Sequence, residues 1–202
     1  LGAEKRVDVH GPGETTYIVL SWRAPAASDE DFFAFTIADS LLTGPTSLNM
    51  FGGGGISNKT SRLYRRLVEN EYAISINGSL QATHDPFLYN ITITVNPKRK
   101  PEEILTVLEE EIDALRQSPV QQSEIDRSAK QARALFAYGS ENITNQAFWL
   151  GYSEMFDRYS WFTQYTSRLS AVTPEILLRS IRKYLNREQR VVGIYHPDGA
   201  HE

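Results

Sequence analysis

Apolar residues recur at two spacings along this chain, every second position in several short stretches and every third or fourth in the segments around them. Ile18, Leu20 and Trp22 alternate with Tyr17, Val19 and Ser21, the pattern of a strand with one side buried. Arg6 to His10 reads as a shorter strand, and Gly11-Pro12-Gly13 as a turn between the two, so the spacing predicts an opening hairpin. The clearest alternation comes later. Ile74, Ile76, Gly78, Leu80 and Ala82 alternate with Ser75, Asn77, Ser79 and Gln81, and Phe87, Tyr89, Ile91, Ile93 and Val95 alternate with Asn90, Thr92 and Thr94. With Thr83 to Pro86 as the turn, these strands predict a second hairpin that has a dry face and a wet face. A last strand is expected around Val191 to Tyr195.

Helical spacing fills the rest. Phe32, Phe33, Phe35, Ile37, Ala38, Leu41 and Leu42 follow the capping types Ser28 and Asp29, which predicts a helix over Asp31 to Leu42 that ends before Gly44-Pro45. Thr60 or Ser61 caps a short helix carrying Leu63, Tyr64 and Leu67 on one stripe, with Tyr64 expected in the core. Ile104, Leu105, Leu108, Ile112 and Leu115 mark a helix from Pro101 to about Ser118-Pro119. Further helices are expected from Ile125 to Phe136, across Phe148, Trp149, Tyr152 and Phe156 beyond a break at Gly139-Ser140, from Trp161 to Leu169, and from Thr173-Pro174-Glu175 to Leu185. No repeat or linker interrupts this order. The economical solution is one α+β domain over residues 1–202, an antiparallel sheet with helices packed on its dry face.

Composition narrows the function classes. At 202 residues the chain is long enough for a substantial core. The 21 basic and 25 acidic side chains are nearly balanced and evenly spread, which argues against nucleic acid as a partner. No cysteine is present, so a disulfide framework and a thiolate metal site are both excluded, and a bacterial cytoplasmic or periplasmic location fits. No apolar run reaches membrane-spanning length. The start, LGAEKRVDV, is neither a methionine nor a signal peptide, which leads to the expectation of a piece excised from a longer protein.

The segment Gly44 to Leu67 holds four consecutive glycines, Gly52, Gly53, Gly54 and Gly55. Gly53 to Thr60 comes near the phosphate-loop pattern, but Asn58 stands where its second glycine belongs and the preceding stretch is helical, so nucleotide binding is rejected. Two readings of the glycines stay open, a backbone laid bare for contact with substrate and a plain surface connection. Four Asn-x-Ser/Thr triplets, at Asn58, Asn77, Asn90 and Asn142, are discounted as glycosylation signals because two lie on expected strands.

Taken together, GGGGISNKTSRLYRRLVE, the hairpin, PVQQSEIDRSAKQ and AVTPEILLRSIRKYL resemble, in their order, the C-terminal half-domain of the pitrilysin, insulysin and processing-peptidase group of zinc peptidases. The resemblance runs from about Val7 to Pro197 and is most specific at Ser61-Arg62-Leu63-Tyr64 and Val172-Thr173-Pro174-Glu175. It implies a chamber built from related half-domains, with polar sheet faces turned inward to hold extended peptide. It also implies that zinc sits elsewhere, on an inverted H-x-x-E-H helix in the other half-domain or in a partner subunit, with dimerisation possible. This chain carries His10, His84, His196 and His201, none of them four residues from another, so catalytic and metal-binding residues and a resident cofactor are all expected to be absent.

In such half-domains an arginine and a tyrosine seven residues apart often hold the scissile peptide. Here Val68 and Ser75 occupy the matching positions, and neither has the required donor. Arg65 and Tyr72 share the spacing three positions early, which reads as coincidence. The substrate-binding candidates are Gly52, Gly53, Gly54, Gly55 and Arg62, with a structural salt bridge as the alternative for Arg62. The aromatic group Phe148, Trp149, Tyr152, Phe156, Tyr159, Trp161 and Phe162 is expected to pack between helices, with a surplus left for an interface. The expected function is therefore a noncatalytic, chamber-forming and substrate-binding domain of a zinc-dependent endopeptidase. The alternative is a binding or assembly subunit of the same fold with no peptidase activity.

Overall fold

The alternating segments around residues 17–23, 73–79 and 88–95 do form strands with one buried side, and the computed structural model describes residues 2–45 and 59–199. Strands β1 (Lys5–Gly11), β2 (Tyr17–Arg23), β3 (Ala73–Ser79), β4 (Leu88–Val95) and β5 (Arg190–Pro197) make one sheet in the order β1-β5-β2-β4-β3. Ile18, Leu20 and Trp22 of β2, Tyr89, Ile91 and Ile93 of β4, Ile76 of β3, and Val192 and Ile194 of β5 all point into one core. Each such side chain contributes about 1.5–3 kcal/mol by leaving water.

Two strand expectations need correction. The opening hairpin does not form, because β5 lies between β1 and β2, antiparallel to β2 and parallel to β1. The sheet is therefore antiparallel in the β2–β4, β3–β4 and β2–β5 ladders but not at its β1 edge. Side-chain chemistry explains the exchange. The place beside β2 lies under the helices and suits Val192 and Ile194, whereas the same side of β1 carries Arg6, Asp8 and His10, which belong at a wet edge. The second correction concerns Ile74. A register shift between Ala73 and Ser75 turns Ala73 inward and leaves Ile74 57% exposed, because the bulge spends one residue of the alternation.

Helices cover one side of the sheet only. Helix α1 (Asp31–Thr43) is buried along its whole length, with apolar residues on every side and Asp31, Thr36, Asp39 and Thr43 hydrogen-bonded inside, and lies between the sheet and a second helical layer. Helix α2 (Pro101–Gln117) reaches β5 itself through Glu109, and the outer layer is built from α3 (Gln122–Gly139), α4 (Ile143–Phe156), α5 (Tyr159–Thr163), α6 (Tyr165–Ser170) and α7 (Pro174–Tyr184). The helix expected over Trp161 to Leu169 is thus two short ones, joined at Gln164. The caps of α1 also differ from expectation: Glu30 is the N-cap, and Asp29 serves from outside by accepting the Asp31 N–H at 2.8 Å. The start of α7 is as expected, with Thr173 Oγ1 accepting from the Ile176 N–H at 3.4 Å.

Ion pairs fix the β1 edge. Arg190, which is almost fully buried, donates through Nε to Glu4 at 2.6 Å and lies 2.6 Å from Glu109 of α2. This ties the residues just before β1 to β5 rather than to β2. Burial pushes the Glu4 carboxyl up, but hydrogen bonds from Arg6 and Arg190 outweigh it and hold the group below its ordinary value.

Candidate functional site: the open sheet face

The uncovered side of the sheet is built from three cross-strand rows and, beyond the first, the exposed pair Arg23 and Leu88. One runs Lys5, Val191, Ser21, Asn90, Ser79; the next Val7, Gly193, Val19, Thr92, Asn77; the third Val9, Tyr195, Tyr17, Thr94, Ser75. Its β3–β4 half is hydroxyl and amide, as alternation predicted, with Ser21 donating to Asn90 Oδ1 at 2.6 Å and Ser75 to Thr94 at 2.9 Å. The β1–β5–β2 half differs from that expectation. Val7, Val9, Tyr17 and Val19 are exposed at 50%, 48%, 42% and 38% around Gly193, so this half is apolar. Sequence reasoning missed it because it treated β1 and β5 as unrelated strands. The alternation of Val191, Gly193 and Tyr195 against Val192 and Ile194 was the signal available.

Of the expected site residues, Gly52 to Gly55 lie outside the described residues. Arg62 precedes a single π-type turn, Tyr64–Val68, and both its terminal nitrogens are engaged. Nη1 donates to Glu111 at 3.0 Å and Nη2 to both oxygens of Glu124 at 3.1 Å, which joins the turn to α2 and α3. This is the geometry of the structural alternative. Leu63 and Leu67 are buried, and Tyr64 and Val68 pack against the core while staying partly exposed. Ser75 faces outward in its row, and the Tyr72 ring lies 4.4 Å below the Arg99 guanidinium, which gives it a local structural partner.

Three of the four histidines, His10, His84 and His196, lie within the described residues. His196 Nε2 lies 2.8 Å from Asp8, the His10 ring stacks on that of His196 at 4.9 Å, and His84 sits in its turn beside Asp85. Among the described residues, no group of three or more His, Asp or Glu is arranged to hold a metal ion. None of the described helices is long and apolar enough to cross a membrane.

The aromatic group behaves as packing. Trp149, Phe156, Trp161 and Phe162 are buried, and the Trp161 indole donates to the Ala27 carbonyl at 3.0 Å. Tyr159 is the exposed surplus, near Met155 on the same surface segment.

The described residues thus form a one-sided α+β fold, a five-stranded sheet with helices on one side and the other side bare. In sequence, residues 2–132 match the family model of the peptidase M16 inactive domain, and the chain belongs to that family. No curated protein matches it in sequence. Its fold is similar to a protease from Helicobacter pylori (TM-score 0.84, 18% identity), covering 97% of this chain and 45% of that one. It is also similar to a protein from Bordetella pertussis Tohama I assigned as a zinc protease (TM-score 0.76, 22% identity, 92% and 96% covered). A third likeness is to the inactive peptidase domain of a protein from Bordetella parapertussis with the same assignment (TM-score 0.77, 18% identity, 96% and 97% covered). The chain thus spans less than half of the Helicobacter protease but nearly all of the two Bordetella chains.

Proposed function

We propose that this chain is the noncatalytic half of a zinc-dependent endopeptidase of the processing-peptidase type, whose open sheet face forms one wall of a chamber and holds extended peptide. The observation that carries the reading is the one-sided sheet: every helix of the described residues lies behind it, and the front exposes hydrogen-bonding and apolar side chains in regular rows. A face of that kind offers side-chain contacts at strand spacing to an extended chain laid against it. Zinc and the activated water belong to the other half-domain or to a partner subunit. In this reading Gly52 to Gly55 admit substrate, while Arg62 holds the turn that follows them against α2 and α3.

The test uses the full-length parent, with zinc content and cleavage of a quenched peptide as readouts. The expected result is one zinc per chain or per subunit pair, and loss of cleavage when this domain is removed. Activity that survives the deletion overturns the chamber role. A parent and partner that both lack zinc point to the binding or assembly subunit instead. Shortening Gly52 to Gly55 is expected to slow cleavage of long peptides more than short ones, and equal slowing counts against substrate admission.

A further inference from the structure

Gly193 has no structural reason to be glycine. It is in register in both of its ladders, opposite Val7 on β1 and Val19 on β2, with no bulge. Its backbone is not left-handed, and a Cβ built there meets only the Val19 carbonyl oxygen at 3.8 Å, an ordinary contact. A glycine in a strand interior lacks packing and costs conformational entropy, so where the strand does not need it, something approaching from outside does.

The surroundings describe that visitor. Val7, Val19, Val191 and Tyr195 stand around the missing side chain, and the slot is not roofed, because the Tyr195 ring leans the other way, over Gly11, with its hydroxyl donating to the Pro12 carbonyl at 2.8 Å. Charge is placed asymmetrically. Lys5 lies in the adjacent row and Arg23 at the same end of β2; both are exposed, and neither has an ion pair among the described residues. The carboxylate of Glu14 sits at the opposite end, beyond Tyr17.

We infer that Gly193 floors a slot for one apolar side chain of an extended acidic peptide, whose carboxylate lies about 7 Å further on, two strand residues away, against Lys5 and Arg23. The inference rests on the proposed peptide-holding role of this face and assigns its substrate class.

The test uses the 202-residue chain and fluorescein-labelled octapeptides in a serine and threonine background, followed by anisotropy. One peptide carries a central leucine with aspartate two residues away, a second replaces leucine by serine, and a third replaces aspartate by lysine. The first is expected to bind at least about tenfold more tightly than either of the others, and to weaken as salt screens the charge. Gly193→Val is expected to abolish that preference for leucine with thermal stability unchanged or raised, since valine suits a strand. Lys5→Glu with Arg23→Glu is expected to abolish the preference for aspartate alone. Equal binding of the leucine and serine peptides, or full affinity in Gly193→Val, overturns the slot. If Asn77→Ala and Thr92→Ala weaken binding while Gly193→Val does not, the slot is wrong and the peptide-holding face stands. If no peptide binds and the parent's cleavage ignores every face substitution, both readings fall.

Discussion

The Tyr89 hydroxyl donates to Asp39 Oδ1 at 2.8 Å inside the core, linking the start of β4 to the second half of α1. Thr43 donates to the same oxygen at 2.8 Å. Burial, and then the nearby Asp39 charge, push the Tyr89 phenol well above its ordinary pKa, so it remains a donor throughout the accessible pH range. Tyr89→Phe leaves a buried carboxylate short of a donor. A loss of about 1–3 kcal/mol is expected in denaturant unfolding with an unchanged slope, and no loss would show that the bond is not made in solution.

Gly78 lies directly over this pair. A Cβ there would collide with the Asp39 carboxylate and the Thr43 hydroxyl, both held in place by the hydrogen bonds just described. Gly78→Ala is therefore expected to lower stability by about 1–3 kcal/mol, as overpacking does. Combined with Thr43→Ala, the loss should be smaller than the sum of the two single losses, because part of the obstruction is gone.

Asp31 opens α1 almost fully buried and receives Lys183 at 2.7 Å and Arg179 at 3.1 Å from α7. Burial raises its pKa, but the hydrogen bonds from Lys183 and Arg179 prevail and hold it below the ordinary aspartate value. A depressed folded-state pKa stabilises above the unfolded value, about 3.9, and the contribution fades as pH falls through the folded one. Asp31→Asn is expected to lower stability at pH 7, and its difference from the wild type should stay level down to about pH 5 and then narrow as the medium becomes more acidic. A difference that is the same at pH 7 and pH 2.5 would refute the pairing.

Glu71 adopts a left-handed backbone, φ 57°, in the turn before β3, where its carbonyl accepts from Asn96 at 3.0 Å. A side chain with a Cβ pays about 1–2 kcal/mol for that conformation, and asparagine tolerates it better than glutamate. Glu71→Asn should raise the melting temperature by a few degrees with peptide binding unaffected. A fall in melting temperature would mean that the glutamate side chain has a role of its own.

Arg62→Met separates the two roles open to that residue. If the side chain is structural, stability falls by about 1.5–3 kcal/mol, the range for hydrogen bonds to charged groups, and peptide affinity holds below the melting transition. A loss of affinity without a loss of stability would return it to substrate contact.

Much of the fold was legible in the chain. The alternation of Tyr89, Ile91, Ile93 and Val95 against polar neighbours named the buried side of β4, and Pro101 and Thr173-Pro174 placed the starts of α2 and α7. These features are local, set by the two-residue repeat of a strand and the unpaired N–H groups of a first helical turn. The site was less legible. Its polar half followed from β3 and β4, which are neighbours in sequence and in space, but its apolar half depends on β5 coming to lie between β1 and β2.

The sequence by itself determined which side of β2 and β4 would be dry, where the longer helices begin, and that no two histidines are spaced as in an H-x-x-E-H helix, because each of these depends on spacing within a few residues. Only the tertiary structure decided that β1 runs parallel to β5, that Ile74 is turned out by a bulge, that Arg62 is held by Glu111 and Glu124, and that Gly193 lies between Val7 and Val19. Those outcomes join residues far apart in the chain, and they are set by competition among strands and carboxylates for the same neighbours, a competition that local spacing does not record.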